Sequence, residues 1–401
     1  MDVMVEHSQQ PHEGNEAFVE EVGAVLGDSD LTVERVPDPD YPDRALLVAH
    51  AGDPEGRQTL AGISHADVVG VDGQDWKTEP FQLTENGEYW YGRGVCDTHG
   101  SGVGMLLAAM RPGVSEALRA EGAYASVIFT YDEEATDQEF SMRGAKVAAG
   151  VTSRAAVAEA PYFIAGEPTE RDGRMVPMRG HKGRFLAHFE VHSPKSGHVS
   201  EMVDNALMRG SSIVHELSTY YRIIRYGSGD DVEADIFNPP HTTLQVSAAR
   251  VKSGEYSNTP EHATFTLDMR TLPFQESPDM TVHDRRVLEV SDLIEHYYEI
   301  SKDEMVTLIV EKNAPGSMTP ADSPIVTLAE DVTGLAACGF NGGDEGRIMR
   351  LEGLKEGITL GPGELSQAHV PNERVAVQSV LDSADLYAEM FRRSASLRKS
   401  S

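Results

Sequence analysis

The chain has 401 residues, 40% of them hydrophobic, with 65 Asp and Glu against 34 Lys and Arg, a formal net charge of −31. That composition describes a globular chain and excludes double-stranded nucleic acid and anionic membrane surfaces as partners, since both require a basic footprint. Only two cysteines occur, which excludes a disulfide framework and a thiolate zinc site.

The basic residues comprise nine lysines and twenty-five arginines. An acid-rich, lysine-poor balance is expected where concentrated salt screens self-repulsion. No segment approaches the roughly 20 apolar residues of a membrane helix, the longest apolar run being 103–110. Residues 1–14 are polar and acidic and lack the basic and apolar regions of a signal peptide, so a cytoplasmic protein is expected. The length suits two domains, or one interrupted by another.

In chain order, residues 15–26 place Phe18, Val19, Val22, Val25 and Leu26 at near-helical spacing. Segments 44–51 and 58–64 read as short buried strands, and 97–111 as a strand-to-helix transition through a Gly-rich stretch. Residues 125–131 form a continuous apolar run ending in acids, the pattern of a parallel strand buried on both faces, and 155–165 offers a second. This alternation predicts an α/β layer with a mixed, mostly parallel sheet. The texture changes near Arg179: strand 185–192, helix 205–220, strands 242–252 and 263–270, helix 284–301 and strand 305–311 give the order of a split βαβ domain. The expected plan is a catalytic α/β domain, 1–179 and 313–401, interrupted by an inserted α+β domain, 180–312. The Ser/Arg-rich end, 392–401, is expected to fray.

Four short segments bring His and carboxylates to strand ends, where an open α/β sheet binds its ligands. In His65-Ala66-Asp67 the two polar side chains of an extended chain point the same way, so the carboxylate can orient the imidazole. Asp97 stands where the Gly-rich turn meets a helix start, as an N-cap or as a ligand. Glu133 and Glu134 are adjacent acids after a buried strand, a costly pairing unless a cation is near or the segment is an exposed acidic tip. Glu167 follows the next strand, and His369 lies in Gln367-Ala368-His369-Val370-Pro371-Asn372-Glu373, after Gly361-Pro362-Gly363. Together these form an oxygen and nitrogen donor set without sulfur, suited to Zn²⁺, Co²⁺ or Mn²⁺.

With these motifs in order from His65 to Asn372, the chain resembles the dizinc amidohydrolases and peptidases that include acetylornithine deacetylase, succinyl-diaminopimelate desuccinylase, aminoacylase and the glutamate carboxypeptidases. It is most similar to the acetylornithine deacetylases through 71–76 (Val-Asp-Gly-Gln-Asp-Trp), Pro80-Phe81, Tyr91-Gly92-Arg93-Gly94, Gly166-Glu167-Pro168-Thr169-Glu170 and His181-Lys182-Gly183. The resemblance implies two divalent metal ions, Zn²⁺ first and Co²⁺ second, with Asp97 bridging them. His65 and Glu167 would complete one metal, Glu134 and His369 the other. Glu133 would be the general base, and Asp67 would hold the imidazole of His65. His198 would stabilise the oxyanion across a homodimer. Arg270 and Asn258 would bind the substrate carboxylate, with backbone donors from Gly361 and Gly363. The inserted domain would serve as lid and dimerisation domain. The implied activity is hydrolysis of an N-acyl amino acid of the N-acetylornithine type; dipeptidase, carboxypeptidase or desuccinylase activity on the same site is the alternative.

The sequence departs from the family's wording in places. Ser64 stands where Gly is usual, and His99 where Lys is common, as a surface or supporting replacement. Gly342-Gly343-Asp344-Glu345 carries an extra carboxylate, making Asp344 and Glu345 candidates for an acidic pocket facing a basic substrate side chain. The stretch between Glu134 and Glu167 is long.

Overall fold

The computed structural model describes residues 1–397 apart from 9, 11–12, 136–141, 156–161, 194–196, 201–204, 228–233, 253–256, 274, 278–279, 302–304, 341, 353 and 355. It forms two compact units, 1–179 with 319–401, and 180–318. In the first unit the strands are β1 (Thr32–Pro37), β2 (Ala45–Gly52), β3 (Arg57–His65), β4 (Ala123–Thr130) and β5 (Tyr162–Ala165). β6 (Met178–His181) leads into the second unit, which contains β7 (Gly183–His192), β8 (Thr243–Lys252), β9 (His262–Thr271) and β10 (Val306–Ala314). The chain returns to the first unit for β11 (Gly357–Thr359).

Seven of the nine strands of the main sheet run in the order β1-β2-β4-β3-β5-β11-β6, and the short strands Ser317–Met318 and Cys338–Phe340 pair with β6. Its centre is parallel, in the pairs β4-β3, β3-β5 and β5-β11. Its flanks are antiparallel, in β1-β2, β2-β4 and β11-β6. The central strands are apolar on both faces because helices cover both faces. Leu47, Ala49, Leu60, Val127 and Phe129 pack under helices Glu16–Gly27, Gly100–Ala109, Pro112–Ala120, Pro324–Thr333 and Val377–Ser394. Leu46, Val48, Ala61, Ile63, Ile128 and Phe163 face helices Arg143–Ala155 and Gly346–Leu351. Phe18, Phe129 and Phe391 are fully buried in the first layer, each contributing about 1.5–3 kcal/mol relative to exposure.

The second unit is a four-stranded antiparallel sheet, β8-β9-β7-β10. Helices Ala206–Gly227 and Val282–Ser301 bury one face through Phe185, Phe189, Phe265, Ile213, Leu217 and Ile294. The opposite face carries the alternate residues of β7 and β9, all polar or half-exposed at their outer ends.

Several elements differ from the sequence reading. The segment 155–165 is not one strand: Ala155 ends a helix, β5 begins at Tyr162, and 156–161 lies outside the described residues. A chain boundary at 312 falls inside β10, whose pairing with β7 continues to Ala314. The C-terminal segment is helical through Ser394 because its apolar stripe, Val380, Ala384, Tyr387 and Phe391, seals the first layer. Ser394 is held by a 2.7 Å hydroxyl bond to Thr59, and only 398–401 lie outside the description.

Candidate active site

The parallel centre of the sheet presents its carboxyl-terminal edge to one place, the position open α/β sheets use for ligands. His65 is the last residue of β3, Glu133 and Glu134 follow the end of β4 at Thr130, and Glu167 follows the end of β5 at Ala165. Asp97 comes from the tight turn Val95–His99 that opens helix Gly100–Ala109, and His369 from the loop after the short turn Leu365–Gln367. Gly94 adopts φ +83° at the start of the Asp97 turn, where a side chain would meet Val68 and His99. The following glycines answer to packing rather than to a ligand: a Cβ on Gly102 would lie 2.5 Å from Phe129, and one on Gly104 would lie 2.1 Å from the Ser383 hydroxyl.

Asp97 lies between the two histidines. Its Oδ1 is 3.1 Å from His65 Nε2 and its Oδ2 is 3.3 Å from His369 Nε2. Glu167 Oε1 lies 3.9 Å from His65 Nε2, and Glu134 Oε1 lies 2.8 Å from His369 Nε2. Each histidine therefore meets one glutamate of its own and one oxygen of the shared aspartate. Glu133 shares the His65 and Glu134 cluster, all its donor atoms within 4.8 Å. Among the described residues its carboxylate has no hydrogen-bond partner.

Burial of so many carboxylates has an electrostatic consequence. Burial pushes Glu133 well above the usual carboxylate range, and the neighbouring charge of Glu134 adds to it. Burial, then the charges of Asp97 and Glu133, do the same to Glu167. Burial raises Glu134 against the pull of His369. Asp97 alone is held low: burial opposes its ionisation, but the hydrogen bonds from His369 and His65 outweigh it. Burial would lower His65, yet its bond to Asp97 and the surrounding negative charge hold it well above its ordinary value. His369 is raised to about 10 by its bonds to Asp97 and Glu134. The two imidazolium rings are too few for these carboxylates. Two divalent cations fit the deficit, and the oxygen and nitrogen donors suit them.

Several residues act otherwise than the sequence suggests. Asp67 holds His65 through its main-chain carbonyl, which accepts the Nδ1–H at 2.8 Å, while its carboxylate is 3.9 Å away. That carboxylate instead accepts the backbone N–H groups of Glu133 and Glu134 at 3.1 and 3.0 Å, setting the position of both. The amides of Gly361 and Gly363 are taken, donating to Thr169 Oγ1 and Glu170 Oε2. A Cβ on Gly361 would meet the Glu167 carbonyl at 2.5 Å, so this loop serves to seat Glu167 rather than to offer backbone donors. His99 is no surface residue: it is fully buried, bonded to the Ala66 carbonyl at 3.2 Å, and burial lowers it to about 3. Asp344 and Glu345 are buried as well, taking hydroxyl bonds from Thr359 and Thr130 respectively, which removes them from an open pocket for a basic side chain. Ser64 bonds the Thr98 hydroxyl at 2.9 Å, and that hydroxyl accepts the His65 N–H, tying the first histidine to the Asp97 turn.

His198, Asn258 and Arg270 lie in the second unit. His198 and Asn258 pair as a β-bridge. His198 Nδ1 lies 2.7 Å from the Ser200 hydroxyl and 3.3 Å from the Ser200 N–H, which fixes the ring on this bridge. Arg270 is bound to Asp268, Nε to Oδ1 at 2.7 Å, and Arg184 reaches the same carboxylate.

One functional residue went unread in the sequence. Glu373 is fully buried, and its Oε1 accepts the N–H groups of Cys96 and Asp97 at 2.9 and 3.0 Å. Its Oε2 accepts Gly94 N–H at 3.1 Å and Arg93 Nη1 at 2.8 Å. Arg93, also buried, reaches Gln74 Oε1 at 2.6 Å and stacks 5.1 Å over Trp76, while Gln74 Nε2 donates to the His369 carbonyl. The segments 71–76, 91–97 and 367–373 are thus one hydrogen-bonded assembly around Asp97 and His369. Its only sequence signal is the charge match of Arg93 and Glu373 within two of the motifs.

An α/β sheet whose carboxyl edge gathers two histidines around one shared carboxylate, beside a glutamate without a hydrogen-bond partner among the described residues, suits a metal-dependent amidohydrolase. The chain belongs to peptidase family M20/M25/M40, whose sequence pattern matches residues 62–393. Acetylornithine deacetylase of Myxococcus xanthus is 29% identical over 84% of this chain and 80% of its own. Among solved structures, an M20 family metallo-carboxypeptidase from Sulfolobus solfataricus superposes with TM-score 0.71 at 16% identity, covering 98% of both chains. A dinuclear metal binding peptidase from Bacillus subtilis superposes with TM-score 0.63 at 11% identity, covering 97% of this chain and 96% of its own.

Proposed function

We propose that the protein removes the acyl group from an N-acyl amino acid of the N-acetylornithine type, releasing acetate and the free amino acid. The observation that carries this reading is Asp97, with one oxygen toward His65 and the other toward His369. Two zinc ions held by His65, Glu167, Asp97, Glu134 and His369 would supply Lewis acidity toward the amide carbonyl and toward water. Glu133, whose carboxylate accepts no hydrogen bond among the described residues, takes the proton of the attacking water and hands it to the amine nitrogen as the C–N bond breaks. Asp67 keeps Glu133 aimed through the bond to its backbone N–H. Across a homodimer, His198 donates to the developing oxyanion. Arg270 and Asn258 receive the substrate carboxylate, Arg270 exchanging part of its contact with Asp268. The second unit acts as lid and as the contact of a homodimer, and the protein works in the cytoplasm.

The relatives named acetylornithine deacetylase favour an acyl amino acid, whereas the metallo-carboxypeptidase likeness supports a peptide. Assaying the zinc-loaded protein on N-acetylornithine beside a panel of dipeptides separates them. Rates on dipeptides equal to or above that on N-acetylornithine would overturn the deacetylase reading.

A further inference from the structure

The second unit carries a group of metal-ligand side chains that hydrolysis does not use. His192, last residue of β7, and His262, first residue of β9, are direct cross-strand partners, so both rings stand on the same face of the sheet. The rings stack with centroids 4.4 Å apart and planes 7° from parallel. Glu190, two residues earlier on β7, shares that face. Its Oε2 lies 3.5 Å from His192 Nε2 and 3.8 Å from His262 Nε2.

Those separations bear on two explanations, an ion pair and an ion-binding site, and His262 Nε2 also lies 3.4 Å from Thr264 Oγ1, a weak bond that an ion would replace as the rings turn toward it. A hydrogen bond between ring nitrogen and carboxylate needs about 2.7–3.2 Å, so the three groups converge without bonding well to one another. Donors held about 2.1 Å from a tetrahedral cation stand about 3.4 Å apart, close to the first distance and a few tenths of an ångström from the second. Among the described residues no lysine or arginine pairs with Glu190. Arg250 and Lys252, opposite Thr264 and His262 on β8, are exposed and do not reach it. The side chains are 31–48% exposed, enough to admit an ion and leave a fourth position to water. The backbone beneath is fixed: His192 N–H donates to the Met305 carbonyl at 2.8 Å and Ser193 N–H to the Glu261 carbonyl at 2.7 Å.

We propose that Glu190, His192 and His262 form a mononuclear site for a divalent transition-metal ion, zinc above all, in addition to the catalytic ions. Two imidazoles and one carboxylate are a recognised zinc donor set, and the absence of sulfur disfavours softer ions. The ion cross-links β7 to β9 where the connecting chain that carries His198 and Asn258 leaves one strand and enters the other.

The test is a zinc count. Chelator-stripped wild-type protein and the His192→Ala/His262→Ala variant are dialysed against the same free Zn²⁺ and analysed by mass spectrometry. The wild type is expected to hold one more ion per chain, while both hydrolyse substrate at the same rate. Glu190→Gln should weaken the extra ion at least about tenfold and leave the metal-free melting temperature unchanged. The comparison is a difference between variants, so it holds whatever the catalytic centre binds. Equal zinc counts in wild type and double variant would overturn the proposal.

Discussion

Replacing Glu373 by Gln tests whether the bridging aspartate is held from behind. The glutamine oxygen can still accept from the Cys96 and Asp97 N–H groups, but its NH₂ would then face Arg93 Nη1 and the Gly94 N–H, donor against donor. Breaking a buried ion pair by removing one partner costs about 3–5 kcal/mol. Arg93 keeps its bonds to Gln74 Oε1 at 2.6 Å and to the Val370 carbonyl at 3.4 Å, which lowers the expected loss to about 2–3 kcal/mol. At about 2–4 °C per kcal/mol for a unit of this size, the metal-loaded protein should melt roughly 4–12 °C lower. The Asp97 turn loses its anchor, so zinc affinity measured by chelator competition should fall about 10–100-fold. Turnover at saturating zinc should survive, because Glu373 touches no reacting atom. A variant with wild-type melting and wild-type zinc affinity would refute the argument.

Glu133→Ala should lower turnover by about two to four orders of magnitude with zinc content unchanged, checked by steady-state kinetics beside metal analysis; undiminished turnover removes it as the base. His198→Ala should slow catalysis about 10²-fold while melting stays put, whereas a structural histidine would do the reverse. In chelated protein, Glu133, Glu134, Glu167 and His369 all hold protons more tightly folded than unfolded. Stability should therefore fall as pH rises from the ordinary glutamate value of 4.5 toward the His369 value of about 10. Zinc should flatten that slope and release protons on binding, read by calorimetry in two buffers; a metal-free melting temperature that rises with pH contradicts this. Activity and stability should hold or increase with salt, and a steady decline would remove the salt reading of the charge.

Much of the sheet was legible because burial on both faces leaves an apolar run, as in 58–64 and 125–131, and helix 15–26 shows its stripe through Phe18, Val22 and Leu26. The C-terminal helix was obscured by a polar, arginine-rich end whose stripe matters only against its neighbours, helices Gly100–Ala109, Pro112–Ala120 and Pro324–Thr333. His99 was misread because a histidine in a glycine-rich turn gives no hint of full burial. Gly361 and Gly363 looked like ligand donors, yet they are small because Glu167 and Cys96 crowd them. Glu373 escaped notice because one acid in a polar loop of an acidic chain carries no local mark. Its meaning depends on Arg93, about 280 residues earlier in the chain.

The interior acids also explain why this pocket needs cations when the surface does not. Surface carboxylates are hydrated and screened, so their excess costs little. Inside, Asp67 is answered by two backbone N–H groups, Glu345 by Thr130 and Asp344 by Thr359. Amides and hydroxyls solvate a carboxylate but do not neutralise it, and Arg93 serves Glu373 alone among them. The charge left on Asp97, Glu133, Glu134 and Glu167 is then met by His65 and His369, by Arg347 through its attraction to Glu133, and by whatever else enters. Protons on the two histidines meet part of it, at the expense of the nitrogens that would bind metal. Zinc and protons therefore compete for the same charge, and the same unmet charge raises Glu133, Glu167 and His369.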